Sequence, residues 1–92
     1  MIHTVKMAAA ALSFIKSNFD DTAVLIGSLS KGEESNHDID VLIAGRKRDI
    51  ETRDRLIILL HPTEFEYTDW GGIYFSNTLW GDIDIFFEYP KD

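Results

Sequence analysis

Two Asp-x-Asp pairs, Asp38 with Asp40 and Asp82 with Asp84, are the residues whose type and spacing point most directly to chemistry. Each pair sits in an apolar run of strand length, DIDVLI and DIDIFF. Side chains two positions apart on a strand share a face, so each pair projects both carboxylates to one side. If the two strands are neighbours, up to four carboxylates converge. A buried strand avoids carboxylates unless something offsets their charge, and like charges gathered this closely are relieved by cations. All-oxygen donors suit a hard cation, magnesium or manganese. A single Asp-x-Asp is ordinarily a solvated strand face. Two of them, both flanked by Ile, Val and Phe, are harder to explain that way.

Upstream of the first pair, the run AVLI (Ala23 to Ile26) breaks at Gly27-Ser28 and gives way to a polar loop. A glycine at a strand end lets the backbone approach a phosphate. Serine adds a hydroxyl and a backbone N–H, and a helical turn after it would add further donors. Lys31 places a cation nearby. Alone, Gly-Ser after a strand is a turn. Its meaning here comes from its fixed distance to Asp38 and Asp40.

The elements that must position these residues can be read from periodicity. Val5, Ala8, Leu12, Ile15 and Phe19 recur at helical spacing, which predicts a helix over about 3–18 with Thr4 as N-cap. Ala23 to Ile26 and Ile39 to Ile43 read as strands, and Leu29 to Asn36 as the loop between them. On the second strand Asp38, Asp40 and Leu42 share one face, and Ile39, Val41 and Ile43 the other. Ala44 to Arg48 reads as a charged turn, Asp49 to Leu60 as a helix stopped by Pro62. Strands are then expected from the alternating run Glu64 to Trp70, from Ile73 to Ser76 and from Leu79 to Glu88, with turns at Gly71-Gly72 and Asn77-Thr78. Pro90 ends the structure. The order predicts an α+β or mixed α/β fold, one mixed sheet of about four or five strands with two or three helices on one face.

Length and composition narrow the possibilities. The 92 residues suit one small domain, and 45% hydrophobic content is that of a folding chain. There is no cysteine, which removes disulfides, zinc-thiolate sites and thiol catalysis and suggests a cytoplasmic setting. Net charge is −7, the wrong sign for a chain that grips duplex DNA by its phosphates. No apolar segment reaches the about 20 residues of a membrane span. The opening MIHTVKMAAAALSFIK lacks a small-residue cleavage site and reads as part of the fold rather than a leader.

With these residues in view, GSLSKGEESNHDIDVLI resembles the signature of the nucleotidyltransferase superfamily: Gly-Ser, a loop, then Asp-x-Asp on the next strand. The spacing looks like that of the palm of DNA polymerase beta and of the minimal nucleotidyltransferases of bacterial toxin–antitoxin systems. The tail GDIDIFFEYPKD is similar to the strand that carries the family's third aspartate. The likeness covers 23–44 and 79–92, and the whole chain, 1–92, would be one minimal domain of this type. It implies that Gly27, Ser28 and Lys31 hold the triphosphate of a nucleoside triphosphate. It further implies that Asp38 and Asp40 bridge two magnesium or manganese ions, and that Asp84 binds one of them and helps deprotonate the attacking hydroxyl. The implied activity is transfer of NMP from an NTP to a hydroxyl on a protein, an RNA end or a small molecule.

The departures bear on that expectation. The family's polymerases carry further subdomains for DNA, which do not fit into a chain of this length. Asp82 stands where such enzymes often have a basic residue. The alternative expectation is a binding module of the same fold, an antitoxin-like partner of a helical toxin-like subunit or a nucleotide sensor, with Phe86, Phe87 and Tyr89 as its contact surface. Trp70, Tyr74 and Trp80 read as core or cross-strand aromatics rather than base-stacking groups. His37 reads as a solvated loop residue, and His3 and His61 have no evident partners. Arg46, Lys47, Arg48, Arg53 and Arg55 read as a solvated face.

Overall fold

A computed structural model describes residues 5–27 and 38–89. The elements are α1 (Val5–Asn18), β1 (Ala23–Ile26), β2 (Ile39–Lys47), α2 (Ile50–Leu60), β3 (Glu64–Tyr67), β4 (Ile73–Thr78) and β5 (Gly81–Tyr89). The expected Thr4 cap, the 29–36 loop and the stop at Pro90 lie outside the described residues. The fold is α+β: one mixed sheet in the order β1-β2-β5-β4-β3. β2 and β5 run parallel at its centre, and every other pair is antiparallel.

Strand alternation divides the sheet into two unlike faces. Ile39, Val41 and Ile43 of β2, Ile83, Ile85 and Phe87 of β5, and Ile73 and Phe75 of β4 are buried in one cluster. That cluster includes Ala8, Ala11 and Ile15 of α1 and Leu56 and Leu60 of α2, so both helices cover this face. The opposite face carries Asp40, Leu42, Asp82, Asp84, Phe86 and Tyr74, side chains half-buried except for Asp84, which is buried. Small alanines on α1 let that helix lie close to the sheet. Among the described residues no helix is long and apolar enough to cross a membrane.

α2 begins where Asp49 turns extended and its side chain accepts a hydrogen bond from the Thr52 N–H at 2.8 Å, filling one of the donor positions a helix start leaves open. It ends at His61, whose left-handed backbone (φ 51°) caps it by donating its N–H to the Ile57 carbonyl.

Three expectations need correction. Ala44 to Lys47 is not a turn but the continuation of β2. Arg46 pairs with Asp20 at 3.1 Å, and the Gly45 N–H donates to the Thr22 hydroxyl at 2.8 Å, so partners beyond β1 hold the strand extended. The second turn lies at Leu79-Trp80, not Asn77-Thr78, because β4 runs to Thr78, which pairs with Gly81. Asn77 takes φ 52° within the strand and donates its N–H to Asp82, while the Thr78 hydroxyl donates to the Gly81 carbonyl at 2.6 Å. Phe87, expected at a contact surface, is in the core at 6% exposure.

The β3–β4 hairpin closes through Thr68 to Gly72, as the glycine pair suggested. Thr68 N–H donates to the Gly72 carbonyl, and the Gly72 N–H donates back to the Thr68 hydroxyl at 2.9 Å. Gly72 is there for space. A Cβ on it would stand 2.3 Å from the Ile85 carbonyl oxygen of β5, and backbone cannot yield. Gly72→Ala is expected to cost about 2 kcal/mol, an overpacking penalty, and Asp49→Ala less than that, a lost cap. Urea unfolding measures both. A Gly72→Ala protein as stable as the parent would show that the hairpin does not press on β5.

Candidate functional site

The strand register assembles a row of residues across the open face. Ile26 of β1 pairs with Asp40 of β2, Asp40 with Asp84 of β5, Asp84 with Tyr74 of β4, and Tyr74 with Glu66 of β3. Two of the expected carboxylates, Asp40 and Asp84, are therefore direct neighbours on parallel strands. Asp38, one step outside β2, accepts a hydrogen bond from the Tyr74 hydroxyl at 3.2 Å. Gly27 follows Ile26 with φ 78°, and a Cβ on it would fall 2.7 Å from the Asp40 carboxylate. Glycine is required there twice, for the left-handed backbone and for the close approach. Ser28 and Lys31 lie outside the described residues, as does His37.

Asp84 is the electrostatic centre of this row. It is 5% exposed, and its Oδ1 is buried without a hydrogen-bond partner. Burial, with Asp40 and then Asp38 opposing a further negative charge, pushes its pKa up to about 7; a hydrogen bond from the Trp70 side chain works weakly the other way. Burial and hydrogen bonding to Asp82 likewise push the Tyr74 phenol up, with the Asp38 charge adding to the effect. Tyr74 therefore stays a donor between two carboxylates.

Asp82 shares the face of Asp84 but has structural work. Its Oδ1 accepts the Asn77 N–H at 2.9 Å and holds that left-handed residue within β4. Among the described residues no group of three or more His, Asp or Glu side chains is gathered into a metal-holding cluster. The register brings Asp40 and Asp84 together, and Asp38 rests against Tyr74.

Beside Asp84, over β4 and β3, the face opens into a cleft of about 360 Å³ lined by Asp38, Glu66, Asp69, Trp70, Tyr74 and others. Trp70 is the residue sequence reasoning placed wrongly. It is not core: it is 58% exposed on the hairpin, stacked on Phe86 with ring centres 6.3 Å apart, and it lines the cleft with Asp84. The hairpin is held from below by Arg48, which is not a solvated cation. Its Nη1 donates to the carbonyls of Thr68 and Gly72 at 3.2 and 3.3 Å, and its guanidinium lies 5.0 Å from the centre of the Tyr67 ring. The Gly-Gly signal located the turn, but nothing local marked Arg48 as its anchor. Of the other aromatics, Trp80 packs against Phe14 of α1 at 4.8 Å.

The raised pKa of Asp84 has a sign that can be tested. Between its ordinary value of 3.8 and about 7, native Asp84 keeps a proton that the unfolded chain has lost. Its contribution to stability is therefore fully present below that window and is lost as pH rises through it. Asp84→Asn keeps the shape without the charge. It is expected to flatten the pH dependence of stability across the window and to be more stable than the parent near pH 8. Denaturant unfolding at several pH values measures this; parallel curves for the two proteins would contradict it.

Comparison of the chain with protein-family models, with curated proteins and with solved structures finds no match in any of the three.

Proposed function

We propose that this chain is a magnesium-dependent nucleotidyltransferase domain that moves NMP from a nucleoside triphosphate to a hydroxyl acceptor. One observation carries the reading: Asp84 is buried beside Asp40, with an unpartnered oxygen, next to a glycine whose backbone is packed against the Asp40 carboxylate. Two carboxylates this close with one oxygen orphaned are what a bound cation would relieve, as the proton that Asp84 keeps up to about pH 7 does otherwise.

The donor chemistry, carboxylate oxygen alone, suits a hard divalent cation, although among the described residues the three aspartates are not already gathered into a metal-holding cluster. Asp38, Asp40 and Asp84 would hold it through oxygen alone. When bound, such ions neutralise the triphosphate and stabilise the attacking and leaving oxygens. The chain's own residues do the rest. The resemblance assigns Gly27, Ser28 and Lys31 to the triphosphate; Gly27 lies against the Asp40 carboxylate, and Ser28 and Lys31 lie outside the described residues. Tyr74 orients Asp38 by its hydrogen bond, and Trp70 stands beside Asp84 in the lining of the cleft. Asp84 accepts the proton of the acceptor hydroxyl. The acceptor oxygen bonds to the α-phosphorus, the bond from that phosphorus to the bridging oxygen breaks, and pyrophosphate leaves with the electron pair. The absence of cysteine is in keeping with action inside the cell.

A second reading, a nucleotide-sensing or antitoxin-like binding module, draws on the exposure of Ile50 and Ile58 on α2, at 64% and 71%. Binding of nucleotide without pyrophosphate release would favour it.

Calorimetric titration with each NTP, with and without magnesium, tests the main proposal. Saturable, magnesium-dependent binding is expected, and Asp40→Ala should abolish it. Magnesium alone should raise the melting temperature of the parent above neutral pH, where Asp84 is ionised, and leave Asp40→Ala unchanged. If NTP does not bind at millimolar concentration with all three aspartates intact, the proposal is wrong.

A further inference from the structure

The cleft beside Asp84 lies on the opposite side of the carboxylate row from Gly27. Gly27 is at the β1 end, whereas the cleft spreads over β4 and β3 at the other end of the sheet order. If phosphate is held at the β1 end, the cleft is where an acceptor would approach Asp84. Its chemistry is one-sided. Glu66 and Asp69 line it in addition to Asp38 and Asp84, and no Lys or Arg is among its described lining residues. The cations that touch Tyr67, one of the lining residues, are engaged elsewhere: Arg48 with the hairpin carbonyls and the Tyr67 ring, and Arg53 with Asp54 and the Tyr67 hydroxyl. Cations bound by Asp38 and Asp84 would still leave Glu66 and Asp69 uncompensated. Tyr67, Trp70 and Tyr74 supply aromatic surface among these carboxylates.

Carboxylates interleaved with aromatic faces select organic cations, and they repel phosphorylated ligands. The volume, about 360 Å³, is that of a small-molecule site. Asp84, nine-tenths buried with an unpartnered Oδ1, is among the residues that line the cleft, which distinguishes it from a patch of surface acid. We propose that this cleft is an acceptor subsite for an organic cation that also carries a hydroxyl, the ammonium or guanidinium group lying between Glu66, Asp69 and Trp70 and the hydroxyl reaching Asp84. The inference rests on the transferase reading for the fate of the hydroxyl, but not for binding of the cation. It excludes a nucleic-acid acceptor at this site.

The test is a set of titrations of the whole chain followed by the indole N–H resonances. There are two tryptophans, Trp70 and Trp80, and Trp80→Phe assigns the signals. Ethanolamine and choline are the cationic probes, glycerol the neutral one and glycerol 3-phosphate the anionic one. A Lys-Ser-Lys peptide with blocked ends presents the same chemistry from a protein. Saturable shifts of Trp70 by the cationic probes, with glycerol weaker and glycerol 3-phosphate inert, are expected. Preference for the amino alcohols would indicate a free small molecule, preference for the peptide a protein segment, and either supports the subsite. The double variant Glu66→Gln, Asp69→Asn changes only exposed side chains. It should weaken cation binding by about tenfold, the loss of two partly screened charge contacts, and leave magnesium–NTP binding intact. Cation binding without NTP binding would overturn the transferase reading and leave the subsite standing. NTP binding with no Trp70 response to any cation, equal binding of glycerol 3-phosphate, or undiminished cation binding by the double variant would overturn the subsite alone.

Discussion

The parallel pairing of β2 with β5, in the register that sets Asp40 against Asp84, is the constraint on which the rest of the structure depends. Two strands hydrogen-bonded side by side hold opposed side chains a few ångströms apart whatever their charge. The same register that makes this juxtaposition also brings Ile39 against Ile83 and Val41 against Ile85 on the other face, all fully buried. Because the side-chain period is two, the pairing cannot slip by one residue without turning the aspartates into the core. Apolar packing beneath the sheet thus enforces an electrostatically unfavourable arrangement above it.

That division of labour explains where the helices are. Both cover the apolar face and leave the other open, so the carboxylate row remains accessible from solvent at Asp40 while Asp84, on the central strand, is enclosed by its neighbours. The hairpin of β3 and β4 does the enclosing. Thr68 to Gly72 closes the turn, Arg48 ties it down by two carbonyls, and the bare Gly72 lets it settle on the β5 backbone. Trp70 is thereby carried over Phe86 and to the cleft that Asp84 lines. The result is one buried carboxylate with a raised pKa, bordered by a cleft whose walls are acidic and aromatic. Sites with these properties are more often functional than structural.

Much of the scaffold was legible because it depends on short-range periodicity. Alternation through Ile39, Val41 and Ile43 marked a strand with one buried face, and the spacing from Val5 to Phe19 marked α1. The errors share one physical origin. Ala44 to Lys47 reads as a turn because Gly45 and its charged neighbours are turn-like locally, yet Asp20 and Thr22 hold them extended from far along the chain. Asn77-Thr78 reads as a turn because both residues favour one, yet Asp82 stabilises the left-handed Asn77 within the strand. Arg48 reads as solvated because its carbonyl partners lie 20 and 24 residues away.

The chain by itself determined the two Asp-x-Asp pairs, the glycine that precedes them and the face each aspartate occupies, because these follow from the two-residue strand repeat. It also determined the acidic balance that argues against duplex DNA. Only the tertiary structure decided that β2 and β5 are neighbours, that Asp84 rather than Asp82 or Asp38 is the buried member, and that Trp70 leaves the core to border a cleft. Strand order and hairpin docking are set by contacts between residues distant in the chain. Such contacts are chosen by the fit of whole elements, not by the local pattern of any one of them.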